Sequence, residues 1–316
     1  MSSAGLPFMD MAHALQAIPT SEVSSRGRDG NRLGRGRVGV IRGVLLMAAT
    51  LLSVAPAHAL PVPHGRDRVV VAYVPPSDPA HGAIHRALRR QHVLERLGAV
   101  VRLVRLPRRL TLRLTGCAGE ANAWYDPDSR AVTMCYELVA GIIARAPHEA
   151  SSAGVTPEQA IRGPIAQILV HETGHALFHL LRVPIFGREE DAADQLAALL
   201  LLHLAPAQAR DLVGGSGSFF ARLGRQEALD KGSFADVHGL SWQRFYSLVC
   251  LAYGSDPRRY ADIVAKGYLP ADRATTCGDE YKQVAYAFKR LIGPHLRVRP
   301  HRGERLRRAW QARQPR

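Results

Sequence analysis

Lysine is almost missing from this chain of 316 residues: Lys231, Lys266, Lys282 and Lys289 stand against 38 Arg. An imbalance of that kind follows a GC-rich coding sequence rather than a DNA-binding surface, and its distribution agrees. Residues 1–59 carry six Arg against three acids and residues 294–316 carry eight Arg against Glu304, so only +5 of the formal net charge of +15 falls on residues 60–293. The basicity belongs to the ends, which leaves no case for a nucleic-acid partner. After residue 59 no apolar stretch is long enough to cross a bilayer without charges or breakers, which leaves no stable membrane span. There is no internal repeat. None of the four cysteines sits in a C-x-x-C knuckle, which removes a cysteine-ligated zinc site.

What is present begins with an export signature. Arg35, Arg37 and Arg42 precede the apolar run 44–54, and Ala57-His58-Ala59 closes it as a cleavage site. The expected product is periplasmic or extracellular after cleavage near Ala59. Residues 1–34 are unusually long for what precedes a signal, as though the start codon were placed too early. In an exported chain an even cysteine count favours disulfides. Proximity selects Cys117 with Cys135 and Cys250 with Cys277 from three connectivities, each worth about 3 kcal/mol in the chain-entropy picture. Three regions follow: an extension with signal over 1–59, a domain over 60–293, and a basic disordered tail over 294–316.

The β-branched run 68–74 predicts a strand ended by Pro75-Pro76. Ile84, Leu88, Val93 and Leu97 predict one amphipathic surface helix, with Arg86, Arg89, Arg90 and Arg96 on its solvated face. Alternation over Leu110, Leu112 and Leu114 predicts a half-buried strand. Residues 121–125 and 131–136, around Asp126-Pro127-Asp128-Ser129, predict a hairpin that returns Cys135 toward Cys117, and a helix follows over 137–145. Thr156, Pro157 and Gln159 form a helix start. Gly163-Pro164 interrupts the pattern, so the next helix, 161–181, is expected to start afresh near Pro164. Helices are expected over 189–204, 242–252 and 279–291, with 214–218 a Gly/Ser loop. The fold class is α+β, a mainly helical domain with a small antiparallel sheet or hairpin near the helix of 161–181.

That helix carries His171-Glu172-Thr173-Gly174-His175. Residues four apart share a face, so His171 and His175 can aim at one metal ion while Glu172 takes a proton from a metal-bound water. A catalytic zinc site wants a third protein ligand and a fourth position open to water. On the apolar helix 189–204, Glu190 and Asp194 stand at i and i+4, and carboxylates on such a face are costly unless paired or metal-bound. Glu190 is the candidate third ligand and Glu189 the alternative. Asp194 is placed to accept the free N–H of a ligating histidine. His238, oriented by Asp236, is the candidate oxyanion donor, with Tyr246 and Arg244 as alternatives. His179, at i+4 from His175, and His203 rank below these.

The chain resembles the gluzincin metallopeptidases, in which HExxH is followed on a later helix by a Glu ligand within E-x-x-x-D. More closely, it is similar to a bacterial family of exported “putative metallopeptidases” known mainly as a domain of unknown function. The carrying stretches are CAGEANAWYDPDSRAVTMCYEL (117–138), HETGHALFHLLRVPIFGREEDAADQLA (171–197), HGLSWQRFYSLVCLAYGSDP (238–257) and CGDEY (277–281), within about residues 68–292. The resemblance implies a zincin-like fold binding Zn2+, a peptide or protein substrate, and an edge strand, here the hairpin 121–135, that lines the cleft. It implies no particular substrate. Two other readings stand beside the zinc metallopeptidase. One is a non-catalytic envelope protein that keeps a structural zinc and binds a partner; the other is a basic tail that binds anionic envelope lipid or polymer.

Overall fold

The computed structural model describes residues 68–151 and 153–297; the export signature lies outside the described residues. Four short strands form one sheet: β1 Val69–Tyr73, β2 Leu110–Thr115, β3 Ala123–Asp126 and β4 Ala131–Cys135, in the order β1-β2-β4-β3. In β2 the alternation read from the sequence is realised, with Leu110, Leu112 and Leu114 fully buried and Thr111, Arg113 and Thr115 half-buried. Only the β3–β4 hairpin is antiparallel; β1, β2 and β4 run parallel. The sheet is therefore mixed, because the connection from β1 to β2 is a helical crossover rather than a turn.

Two helices make that crossover, α1 Gly82–Arg90 and α2 Val93–Val101, where the apolar spacing predicts one. The chain breaks at His92, in the left-handed region at φ 52°. The bend lets Leu88 of α1 and Leu94, Leu97 and Val101 of α2 all reach the core. The hairpin turn is closed by Asp126, whose carboxylate accepts from the Asp128 amide and the Ser129 hydroxyl. It returns Cys135 to Cys117 as a disulfide. Helix α3, Tyr136–Arg145, then leads to the longest helix, α4 Pro157–Leu181, which starts in a capping box of Thr156 and Gln159.

Helix α4 runs straight through Gly163-Pro164, and residues 214–218 are not a loop but the middle of α6, Pro206–Gln226. Both departures have one cause. The two helices cross backbone to backbone at Gly163 and Gly215: a Cβ on Gly163 would stand 2.5 Å from the Ser216 nitrogen, and one on Gly215 only 1.9 Å from the Gln159 carbonyl oxygen. Contact at that crossing outweighs the hydrogen bond that Pro164 cannot donate and the low helix propensity of glycine. Gly215→Ala is accordingly expected to cost at least about 2 kcal/mol and to lower the thermal midpoint by about 4 °C or more. Gly278→Ala, a helical glycine with open space around it, should be neutral or slightly stabilising in the same unfolding experiment.

The remaining helices are α5 Glu189–Leu202, α7 Lys231–Ala235, α8 Ser241–Ser255, α9 Ala261–Ala265 and α10 Ala271–Leu291. Helix α10 begins two turns before the start predicted at Asp279, anchored by the Cys250–Cys277 disulfide to α8 and by the Arg273–Glu280 ion pair. One core joins the sheet to α4 and α5; a second lies among α6, α8 and α10. Residues 294–297 stay on the fold, with the Arg297 amide donating to the Leu103 carbonyl and the Arg105 amide to that of His295. The rest of the expected tail lies outside the described residues. No described helix is long and apolar enough to cross a membrane.

Candidate metal centre

The turn 182–188 folds α5 back against α4, and small residues at the contact, Gly174 and Ala193, let the two backbones approach. One turn of each helix then faces the other. His171 Nδ1 meets Asp194 Oδ1 at 2.9 Å and His175 Nδ1 meets Glu189 Oε1 at 2.8 Å. Carboxylates accept, so each Nδ1 carries a proton, and each Nε2 is the atom left to offer a lone pair once its own proton is lost. Those two Nε2 atoms are 3.1 Å apart. Glu190 Oε2 lies 3.0 Å from the Nε2 of His171 and 3.3 Å from that of His175. His238 Nε2 stands 2.9 Å from the same oxygen.

Two Nε2 atoms and a carboxylate oxygen at this spacing repel one another unless a proton or a metal cation lies between them. Ligand atoms about 2.0–2.1 Å from a tetrahedral ion lie about 3.3 Å from each other. The donor set of His171, His175 and Glu190 therefore fits a divalent ion, and its ligand atoms fall within 4.8 Å of one another. Glu189 faces the back of His175 rather than the convergence point, and Asp194 sits where a partner of a ligating histidine belongs.

The protons respond to this crowding. Burial opposes charge on His171, but its bonds to Asp194 and Glu190 outweigh it and raise the imidazole to about 9. His175 is raised against the same burial by Glu190 and Glu189. Burial also works against ionising Glu190, yet the three imidazoles hold it well below the usual carboxylate range. Asp194, likewise buried, is held at about 2 by His171 and Arg244. Glu172 shifts the other way: burial raises it, and neighbouring His171 and His175 restrain the rise.

A metal must displace the imidazole protons, so its affinity should climb about tenfold per pH unit for each proton released as pH rises toward 9. Without metal the sign for stability is opposite. The folded value of about 9 for His171 lies above the unfolded value of about 6.5, so its contribution is complete below about pH 6.5 and is lost as pH rises through 9. The metal-free protein should lose on the order of 3 kcal/mol over that window. The expected result is a thermal midpoint that falls from pH 6.5 to 9 in chelator and holds in metal.

The other residues singled out in the sequence have distinct places. Arg244 donates from Nε and Nη2 to Asp194, at 2.6 and 2.8 Å, and stacks over Phe220 at 4.6 Å, so as an oxyanion donor it is already engaged. Tyr246 packs with Trp242 and Phe245. His179 meets the Tyr125 hydroxyl at 2.8 Å, and His203 donates from Nδ1 to the Leu199 carbonyl. Asp236 holds His238, accepting from its backbone amide at 2.8 Å and facing its Nδ1 at 3.2 Å. The sequence placed Tyr125 only within the hairpin expected to line the cleft and gave it no role; its backbone amide acts on Glu172 from the edge strand β3. A long-range approach of that kind leaves no local pattern.

A family model described as “Putative metallopeptidase” matches residues 73–292. No curated protein matches the chain, and no solved structure does.

Proposed function

The chain belongs to this “Putative metallopeptidase” family, and from that premise we propose that it is a zinc-dependent peptidase using His171, His175 and Glu190 as metal ligands. The observation that carries the proposal is the convergence of two Nε2 atoms and one carboxylate oxygen, with both Nδ1 atoms held by carboxylates. Two imidazoles and one carboxylate suit zinc and leave a fourth position for water. Zinc bound there supplies a lowered pKa for a coordinated water and polarises a carbonyl.

The protein's own groups do the rest. Glu172 is the general base: its carboxylate takes the proton of the attacking water and delivers it to the leaving amine, and its upward shift from burial brings it closer to neutral pH. His238 donates from Nε2 to the oxygen that becomes negative, and Asp236 fixes its ring. The free edge of β3 offers backbone groups to an extended peptide. Two disulfides among the described residues support export, as the sequence over 35–59 suggests.

One observation favours a different role. His238 Nε2 is close enough to Glu190 to close the site as a fourth ligand, and a closed four-ligand zinc is structural. His238→Ala separates the two readings. For the peptidase, zinc stays bound and hydrolysis of a broad peptide library falls about 10²–10³-fold, mainly in kcat. For a structural site, zinc affinity drops and no hydrolysis exists to lose.

A further inference from the structure

Behind the helix of the metal centre is a cavity of about 310 Å³. Helix α4 turns Ile165, Leu169, Val170 and Thr173 toward it, while His171 and His175 project from the opposite side of the same helix. Protein interiors are packed with few voids larger than a water molecule. Voids with apolar walls stay dry and take apolar molecules, and this volume lies at the lower end of small-molecule sites.

Gln91, Arg96, Glu158, Arg162, Thr173 and Gln208 interrupt the apolar wall, and two of them bear on a ligand. Among the described residues, Gln208 carries the lining's one buried side-chain atom without a hydrogen-bond partner, its Oε1. An amide can turn either end inward, so it can also present an N–H. Arg96 belongs to the lining yet is exposed, which places it at the opening, and among the described residues no carboxylate pairs with it. Arg162 and Glu158, also in the lining, are instead committed to each other at 2.9 Å.

We propose that this cavity binds a single-chain aliphatic amphiphile with an anionic head group, the chain in the void and the head at Arg96. An aliphatic chain matches walls made mostly of Val, Leu and Ile side chains. Arg96 supplies charge complementarity at the mouth, and Gln208 a second polar contact. The site is separate from the zinc chemistry, so zinc content serves as an independent check on folding.

The test is calorimetric titration of the full purified chain with laurate and with dodecanol, below their aggregation limits. One laurate per chain is expected. Arg96→Glu, a change at an exposed side chain, should weaken laurate about tenfold or more and leave dodecanol within about twofold. Leu169→Trp, which fills the void, should abolish binding of both while zinc content is unchanged. Absence of saturable laurate binding to the parent chain overturns the proposal. Laurate affinity that is indifferent to Arg96→Glu overturns it as well, whether or not Leu169→Trp folds.

Discussion

Glu172→Gln is expected to leave about one zinc per chain in place and to lower peptide hydrolysis about 10²–10⁴-fold, the range for a positioned general base. The substitution keeps the shape of the side chain and removes only its capacity to take a proton. Glu172 is buried beside His171 and His175 but is not part of the convergent donor set, so the metal has no reason to leave. The loss should appear in kcat and kcat/KM alike, with KM little changed, because the proton transfer belongs to the transition state. The limb of the pH–rate profile that reports ionisation of the base should vanish with it. Zinc retained with full hydrolysis would remove Glu172 from the chemistry; zinc lost with the activity would make it a structural residue.

Asp194→Ala is the more damaging change to the fold. Asp194 accepts from His171 Nδ1 on one side and from the Arg244 guanidinium on the other. Its removal strands a buried cation against Phe220 and frees the ring of His171. Breaking a buried pair from one side costs about 3–5 kcal/mol, and losing the carboxylate behind a ligating histidine costs about 10–100-fold in metal affinity. The two effects can be separated. Asp194→Leu combined with Arg244→Met removes both charges, and should recover most of the stability while zinc affinity stays low. Recovery of both would mean that Asp194 does no more than balance Arg244.

The candidate metal centre was legible because its parts lie on regular elements whose periodicity is local. His171 and His175 share a face by their spacing alone, and Glu190 and Asp194 stood out as carboxylates on a helix otherwise rich in Leu and Ala. The structure brings these four together and puts Glu189 behind His175. Punctuation read locally failed where a tertiary contact took over. Gly163-Pro164 and the Gly/Ser run 214–218 resemble breaks, yet they are the surfaces through which α4 and α6 touch. The turn at His92 left no trace, since Gln91-His92 contains neither Gly nor Pro. The parallel pairing of β1, β2 and β4 was equally hidden, because it is settled by the connections, two helices between β1 and β2 and strand β3 between β2 and β4, and not by the strands themselves. Tyr125 reaches Glu172 across 47 residues, and no spacing rule covers that distance.

The central claim is that His171, His175 and Glu190 hold one zinc ion. Elemental analysis of the purified chain beside His171→Ala/His175→Ala measures it most directly. About one zinc per chain in the parent and none in the double variant is the result the account predicts. A parent chain that takes up no zinc when supplied with it, or a double variant that keeps it, would contradict the account.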